Sequence, residues 1–313
     1  MARCFVTRGL PGGALDRLRA EHEVEVWAGS EPPPRDELLA AAARAEALLT
    51  MLTERVDREL LDAAPDVRAI ANYAVGTDNI DLEAATERGI PVGNTPDVLT
   101  DTTADLAFAL MLAAARRVVA GDAFVRAGRW KTWSPTAFLG YDLHRAVLGV
   151  VGFGRIGQAV ARRAEGFSMT VLHHSRSGGE PLDSLLGRAD FVSLHAPLTP
   201  ETRGLIGERE LELMKPTAVL VNTARGELVQ SPALARALED GQIAGAGLDV
   251  TDPEPLPADD PLLRAPNLVV TPHIGSASHR TREAMADMAV DNLIAALAGE
   301  RMPHCANPEV YDR

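Results

Sequence analysis

Short runs of β-branched and other apolar residues alternate with Ala-, Leu- and Arg-rich stretches of helical period along almost the whole chain. That alternation predicts an α/β fold of parallel sheet with helices on both faces, because parallel strands need crossover helices that then cover the sheet. In the first third the strand runs are CFVT (4–7), EVEVW (23–27), ALLTML (47–52) and AIANY (69–73). Between them lie ALDRLRA, DELLAAAARA, VDRELLDAA and LEAATERG, each with helical spacing. EPPPRDE (31–37) sets Pro ahead of a helix start, where a missing N–H costs nothing. A second series begins at AVLGVVGFG (146–154) and continues through MTVLHH, DFVSLHAPL, AVLVNTARG, GAGLDV and NLVVTPHIG. Each of its runs ends in a polar loop, and in open α/β sheets ligands bind beyond the carboxyl ends of the strands.

The most strongly helical stretch spans Thr102 to Val119. Thr102 and Asp105 fit a capping box, and apolar residues on several faces predict burial all round, between domains or between subunits. A last helix is expected from Ser278 to Ala298. Two βα series over 313 residues exceed what one core supports, so two domains are expected.

Charge narrows the partners. The formal net charge of −13 argues against nucleic acid or an anionic membrane, and any anionic ligand must be met by local cations. Lys occurs only at Lys131 and Lys215, so Arg supplies nearly all of those cations. Cys4 and Cys305 sit at opposite ends, which is neither a disulfide framework nor a metal spacing. No run of 18 apolar residues occurs, and MARCFVTRGL lacks a long apolar leader core; a cytoplasmic protein is expected.

Gly152, Gly154 and Gly157 form G-x-G-x-x-G after an apolar strand and before the helical RIGQAVARRA. A plain strand-to-helix turn would carry three glycines less often than a dinucleotide site does. There the first permits the tight turn, the second lets backbone approach a pyrophosphate, and the third lets helix and strand pack closely. The helix N-terminus adds free N–H groups and a positive dipole end. Where an acid would bind the ribose 2′-hydroxyl of NAD, 18 residues past Gly157, the chain has Ser175, then Arg176 and Ser177. A hydroxyl and a guanidinium suit a 2′-phosphate, so NADP(H) is expected to be preferred, with NAD(H) still possible. His173 and His174 alternate across a strand and cannot form a two-ligand metal face; packing accounts for them, and no metal is expected.

Three further polar residues follow strand runs in the same series: Arg225 in NTARGELV, Glu254 in GLDVTDPEPLP and His273 in VVTPHIGSAS. Any one of them could be an ordinary loop residue or ion pair. Together, beyond a dinucleotide fingerprint, they supply the parts for reducing a 2-oxo acid. Arg grips a carboxylate with two prongs, His donates a proton to the keto oxygen, and Glu on the far ring nitrogen favours the imidazolium. Gly226, beside Arg225, is expected to permit an unusual backbone there.

These motifs resemble the D-isomer-specific 2-hydroxyacid dehydrogenase family, most closely its glyoxylate/hydroxypyruvate reductase branch. The resemblance runs over nearly the whole chain: ANYAVGTDNIDLEAATERGI, NTPDVLTDTTADLAFALMLA, VGFGRIGQAVARRAEGF, HAPLTPET, LVNTARGELV, GAGLDV and TPHIGSAS. It implies that Arg225 binds the substrate carboxylate while Glu254 pairs with His273, the acid/base. It also implies that the backbone N–H groups near Val75 and Gly76 help to hold that carboxylate. Cofactor contacts are implied for Thr103, Arg155, Ile156, Pro197, Thr223, Ala224, Asp249 and Gly275. The implied architecture is two Rossmann-like doubly wound domains, a substrate domain of residues 1–99 and 284–313 with the cofactor domain, 100–283, inserted. A homodimer through the cofactor domains is implied too. Two stretches depart from the pattern: SGGEPLDSLL after Ser177 is short, and HRAV (144–147) replaces a Gly-Lys/Arg entry to the fingerprint strand. Rival readings are a different 2-hydroxy acid as substrate, a phosphorylated one, which is disfavoured because TMLTE and NYAVG offer no extra cations, and a nucleotide-sensing protein with little turnover, against which the full acid/base trio argues.

Overall fold

The computed structural model describes residues 1–312, which divide into two compact units. The first takes Met1–Leu99 together with the chain from Ala277 onward, and the second is Thr100–Ser276. The departure from the first unit thus falls at 99/100. The return falls at 276/277 instead of 283/284, because the final helix packs on the first helix and the strands of the first unit.

The first unit alternates β1 (Arg3–Val6), α1 (Ala14–Glu21), β2 (Glu23–Val26), α2 (Arg35–Ala42), β3 (Ala47–Thr50), α3 (Arg58–Ala63), β4 (Ala69–Asn72), α4 (Leu82–Glu87) and β5 (Val92–Gly93). Its sheet is parallel throughout, in the order β2-β1-β3-β4-β5. Asp57 and Asp81 cap α3 and α4 by accepting from Leu60 N (3.1 Å) and Ala84 N (2.8 Å), each filling an N–H that the first helical turn leaves unpaired.

The second unit opens with α5 (Thr100–Ala115) and α6 (Val118–Arg126). It continues as β6 (Val147–Val151), α7 (Arg155–Glu165), β7 (Thr170–Ser175), β8 (Gly178–Gly179), α8 (Leu182–Arg188), β9 (Phe191–Leu194), α9 (Glu208–Leu213), β10 (Val219–Asn222), α10 (Ser231–Glu239), β11 (Gly245–Leu248) and β12 (Leu268–Val270). Its sheet runs β12-β11-β10-β9-β6-β7-β8, parallel except for the last pair. The order reverses between β6 and β9, which is where an open α/β sheet leaves a crevice at its carboxyl edge. The chain then returns to the first unit as α11 (His279–Leu297), capped by Ser278 Oγ on Thr281 N at 3.2 Å.

Central strands of both sheets are covered on both faces: ALLT, AIAN, FVSL, VLVN and GAGL are buried at every position. This is why they read as unbroken apolar runs rather than as alternation. Each large side chain sealed this way, Phe191 or Leu194 for example, contributes about 1.5–3 kcal/mol of burial.

Two local expectations are corrected. The helix expected from Thr102 to Val119 is two helices, broken where Arg117 adopts a left-handed backbone (φ 52°). Thr102 lies inside α5, so it does not cap it, and Asp105 instead accepts from Arg163 Nε at 2.6 Å. Within the single chain, Asp105 and Ala109 of this stretch face solvent, and α6 has no buried residue.

Candidate active site

Parallel strands held in register bring the candidate residues to one edge of the second unit. Asn222 of β10 pairs with Leu248 of β11, which pairs with Val270 of β12, so the three strands end level. Arg225, Asp249 and His273 follow those ends, and Glu254 lies in the loop after β11. Two of the loops touch: a Cβ placed on Gly226 would lie 2.0 Å from the Thr251 carbonyl carbon. Gly226 is therefore required by close approach. Its φ is not in the left-handed region, so the unusual backbone expected from the sequence is not the reason.

His273 and Glu254 meet directly, with Nδ1 of the ring 2.6 Å from Oε1 of the carboxylate. Both side chains are about one-third exposed or less, so the pair sits at a surface that a ligand can reach. A carboxylate on Nδ1 places the proton there in the neutral ring and turns Nε2 outward. His273 is held in the left-handed region at φ 52°, a conformation that costs a non-glycine residue about 1–2 kcal/mol.

Asp249 imposes that conformation. His273 N donates to the Asp249 carbonyl at 2.9 Å. The Asp249 carboxylate accepts from Thr271 Oγ1 (2.6 Å), Ile274 N (2.8 Å) and Gly275 N (2.7 Å). Burial pushes this carboxyl upward, against the lowering pull of those three donors. Thr103 closes the same loop from α5, its hydroxyl lying 3.4 Å from the Gly275 carbonyl. Arg225 is braced by the buried Asn222, whose amide nitrogen donates to the Arg225 carbonyl (2.8 Å) and whose oxygen accepts from Ala224 N (3.0 Å). The clamping by Asn222 and Asp249 escaped the sequence reading. A buried polar residue ending an apolar strand was its only trace.

The fingerprint glycines divide their work as the motif requires. Gly152 has φ 91°, and a Cβ there would strike Ala196 N at 2.4 Å. Gly157 has no room because its Cβ would lie 2.1 Å from the Gly152 carbonyl oxygen. At Gly154, the N-cap of α7, a Cβ would meet nothing within 4 Å, leaving open backbone in front of the helix N-terminus with Arg155 and Ile156 in its first turn. At the neighbouring edge the Thr223 hydroxyl is buried without a partner among the described residues. An open cradle of amides and an orphaned hydroxyl fit a dinucleotide, with Pro197, Thr223 and Ala224 on the loops beside it.

β7 ends at Ser175 and turns into a short hairpin with β8. Ser175 Oγ donates to the Gly178 carbonyl at 3.0 Å and lies 3.1 Å from Ser177 Oγ, while Arg176 is exposed. His173 stacks on Phe153 with ring centroids 4.1 Å apart, and His174 Nδ1 lies 2.8 Å from the Glu180 carbonyl. Val75 and Gly76 belong to the first unit, on the loop after β4. Among the described residues no group of three or more His, Cys, Asp or Glu is placed to hold a metal, and no helix is long and apolar enough to cross a membrane.

Known proteins share this sequence and fold. The profile of the D-isomer specific 2-hydroxyacid dehydrogenase NAD binding domain matches residues 108–275. The chain belongs to that family. Its nucleotide ligand is accordingly a nicotinamide cofactor. The chain is 51% identical to a glyoxylate reductase of Thermococcus litoralis, with 98% of this chain and 97% of that one covered. It is 52% identical to a glyoxylate reductase of Pyrococcus furiosus over 98% and 96% of the two chains. Among solved structures, a Thermus thermophilus protein superposes with TM-score 0.93 at 53% identity, covering 97% of this chain and 99% of its own. An NADPH-dependent glyoxylate/hydroxypyruvate reductase of Sinorhizobium meliloti superposes with TM-score 0.84 at 32% identity over 98% and 99%.

Proposed function

We propose that this 2-hydroxyacid dehydrogenase reduces glyoxylate to glycolate and hydroxypyruvate to D-glycerate, using NADP(H) in preference to NAD(H). The observation carrying the reading is the His273–Glu254 pair, 2.6 Å apart, at the sheet edge that also bears Arg225 and the fingerprint. Relatives half identical over their full length carry the glyoxylate reductase name, which favours this substrate over the rival acids and over a silent sensor.

The nicotinamide, when bound, supplies hydride to the carbonyl carbon. The chain does the rest. Arg225 grips the substrate carboxylate and fixes the face presented. His273 gives the Nε2 proton to the keto oxygen as negative charge grows there, and Glu254 holds the ring and stabilises its cationic form. The Gly152–Gly157 turn takes the pyrophosphate, and Thr103, Pro197, Thr223, Ala224, Asp249 and Gly275 surround the rest of the dinucleotide. Ser175, Arg176 and Ser177 take a ribose 2′-phosphate, where an acid would repel it.

A homodimer through the cofactor domains completes the reading. Of the large exposed apolar side chains, all but Met1, Leu52 and Leu263 lie between 118 and 141. That stretch also carries most of a local cluster of cations, Arg116 to Lys131, on a chain of net charge −13, so a second copy is a suitable acidic partner. The two cysteines are unpaired, in keeping with a reducing, cytoplasmic setting. The deciding assay follows the oxidation of NADPH and of NADH by the purified chain with glyoxylate, hydroxypyruvate and larger 2-oxo acids. Turnover confined to larger or phosphorylated acids, or absent altogether, overturns the reading.

A further inference from the structure

We infer that Asn72 and Asn94 are positioning residues which turn the backbone amides of Thr77 and Gly76, in a row with that of Val75, toward the carboxylate of the substrate. The inference rests on the 2-oxo acid reading above and concerns the first unit alone.

Three successive carbonyls on the loop after β4 are tied down, each by a different donor. The Ala74 carbonyl accepts from Thr95 N at 2.8 Å. The Val75 carbonyl accepts from Asn94 Nδ2 at 2.8 Å, and the Gly76 carbonyl from Asn72 Nδ2 at 3.0 Å. A trans peptide sets its N–H opposite its C=O. Fixing these three carbonyls therefore turns the N–H groups of residues 75, 76 and 77 away from the anchors. None of the three N–H groups donates a hydrogen bond among the described residues, although all three residues are half-buried. An amide left in that state is unfavourable once water is excluded, unless an acceptor arrives. An anionic oxygen is the strongest acceptor for such a row.

The anchors are themselves braced. Asn72 is fully buried at the end of β4; its Oδ1 accepts from Thr50 Oγ1 (3.2 Å), and its Nδ2 also donates to Asn79 Oδ1 (3.0 Å). Asn79 Nδ2 in turn donates to the carbonyls of Met51 and Glu54. Asn94 is held through its backbone: its N donates to the His304 carbonyl (3.1 Å), and its carbonyl accepts from the buried Asn292 of α11 (3.0 Å). Gly76 gives the loop freedom to rotate, so without these side-chain amides the peptide planes would sample other orientations.

Asn94→Ala and Asn94→Asp test the assignment. Both keep the backbone bonds of residue 94, and Asp is nearly the same shape, so at least one variant is expected to fold, as judged by circular dichroism and Tm. KM for glyoxylate and the inhibition constant of oxalate, a plain dicarboxylate probe, are expected to rise on the order of tenfold in Asn94→Ala, or about 1.4 kcal/mol. They should rise further in Asn94→Asp, which sets an oxygen against the Val75 carbonyl. The dissociation constant of NADPH should stay at the wild-type value, a separation that general loosening of the fold would not produce. Unchanged KM and oxalate inhibition in both variants, or an equal loss of NADPH affinity, overturns the inference. If the wild-type chain itself reduces neither glyoxylate nor hydroxypyruvate, it is the functional reading that falls, and the inference with it.

Discussion

At the scale of single residues, His273 is the position where strain and chemistry coincide. Its left-handed backbone is maintained by bonds from its own N–H and from the two residues after it to Asp249, while its ring is maintained by Glu254. Removing the ring in His273→Ala is expected to lower kcat for glyoxylate reduction by about 10²–10⁴-fold, the range for loss of a general acid. Stopped-flow turnover with saturating NADPH checks this, and near-normal turnover would remove the ring from the proton path. At the other end of the cofactor site, the Ser175→Asp, Arg176→Ala double variant is expected to shift the NADPH/NADH ratio of kcat/KM toward NADH, since a carboxylate repels a 2′-phosphate. An unchanged ratio would show that this hairpin does not read the ribose. The chemical identities of Arg225, Glu254 and His273 were legible because each is a reactive side chain just past a strand run. The residues that hold them were not. Asp249 acts on Gly275 and Asn94 acts on Val75 through bonds between positions 26 and 19 apart, and such pairings appear only once the chain is folded.

At the scale of elements, the central strands were easy to read because both of their faces are buried, so an unbroken apolar run marks each one. The break between α5 and α6 left no such mark: Arg116–Arg117 carries neither Gly nor Pro, and the left-handed turn at Arg117 is set by what the chain does on either side. β8 was equally hidden, since Gly178–Gly179 has no side chains to form a pattern. α6 is the element with the clearest unmet need. A nine-residue helix with no buried residue is marginal in water alone, yet it leads into a stretch carrying Trp130 and Trp133, the latter 76% exposed. Covering by a second copy predicts that the wild-type chain is dimeric by light scattering at micromolar concentration. Trp130→Asp with Trp133→Asp should then shift it toward monomer while leaving the far-ultraviolet circular dichroism intact, because neither ring supports its own unit's core. A monomeric wild type would refute the arrangement.

At the scale of the whole molecule, the two units have separate cores, so unfolding need not be a single transition, and a buried titratable group in one unit should mark that unit alone. His195 is such a group. It follows β9 against the fingerprint turn; its Nε2 lies 2.8 Å from Ser193 Oγ, and its Nδ1 is buried with no partner among the described residues. Burial pushes the imidazole down from 6.5 to about 3. Between those values the unfolded chain binds a proton that the folded chain refuses. Stability of the second unit therefore falls as pH drops through 6.5 and keeps falling toward 3, while above 6.5 neither state is charged and the effect vanishes. At pH 5 the cost reaches about 2 kcal/mol, a ceiling because part of the residue still meets solvent. That is a substantial share of the 5–15 kcal/mol typical of a folded domain. His195→Asn keeps a polar side chain near Ser193 but does not titrate. The wild type should therefore lose more than this variant between pH 7.5 and pH 5, by up to about 2 kcal/mol. The loss should appear in hydrogen exchange at β6 and β9, beside His195, and not at β3 and β4, which belong to the other unit. Equal acid sensitivity of the two proteins at β6 and β9 would mean that His195 accepts its proton in place and that its burial is relieved without unfolding.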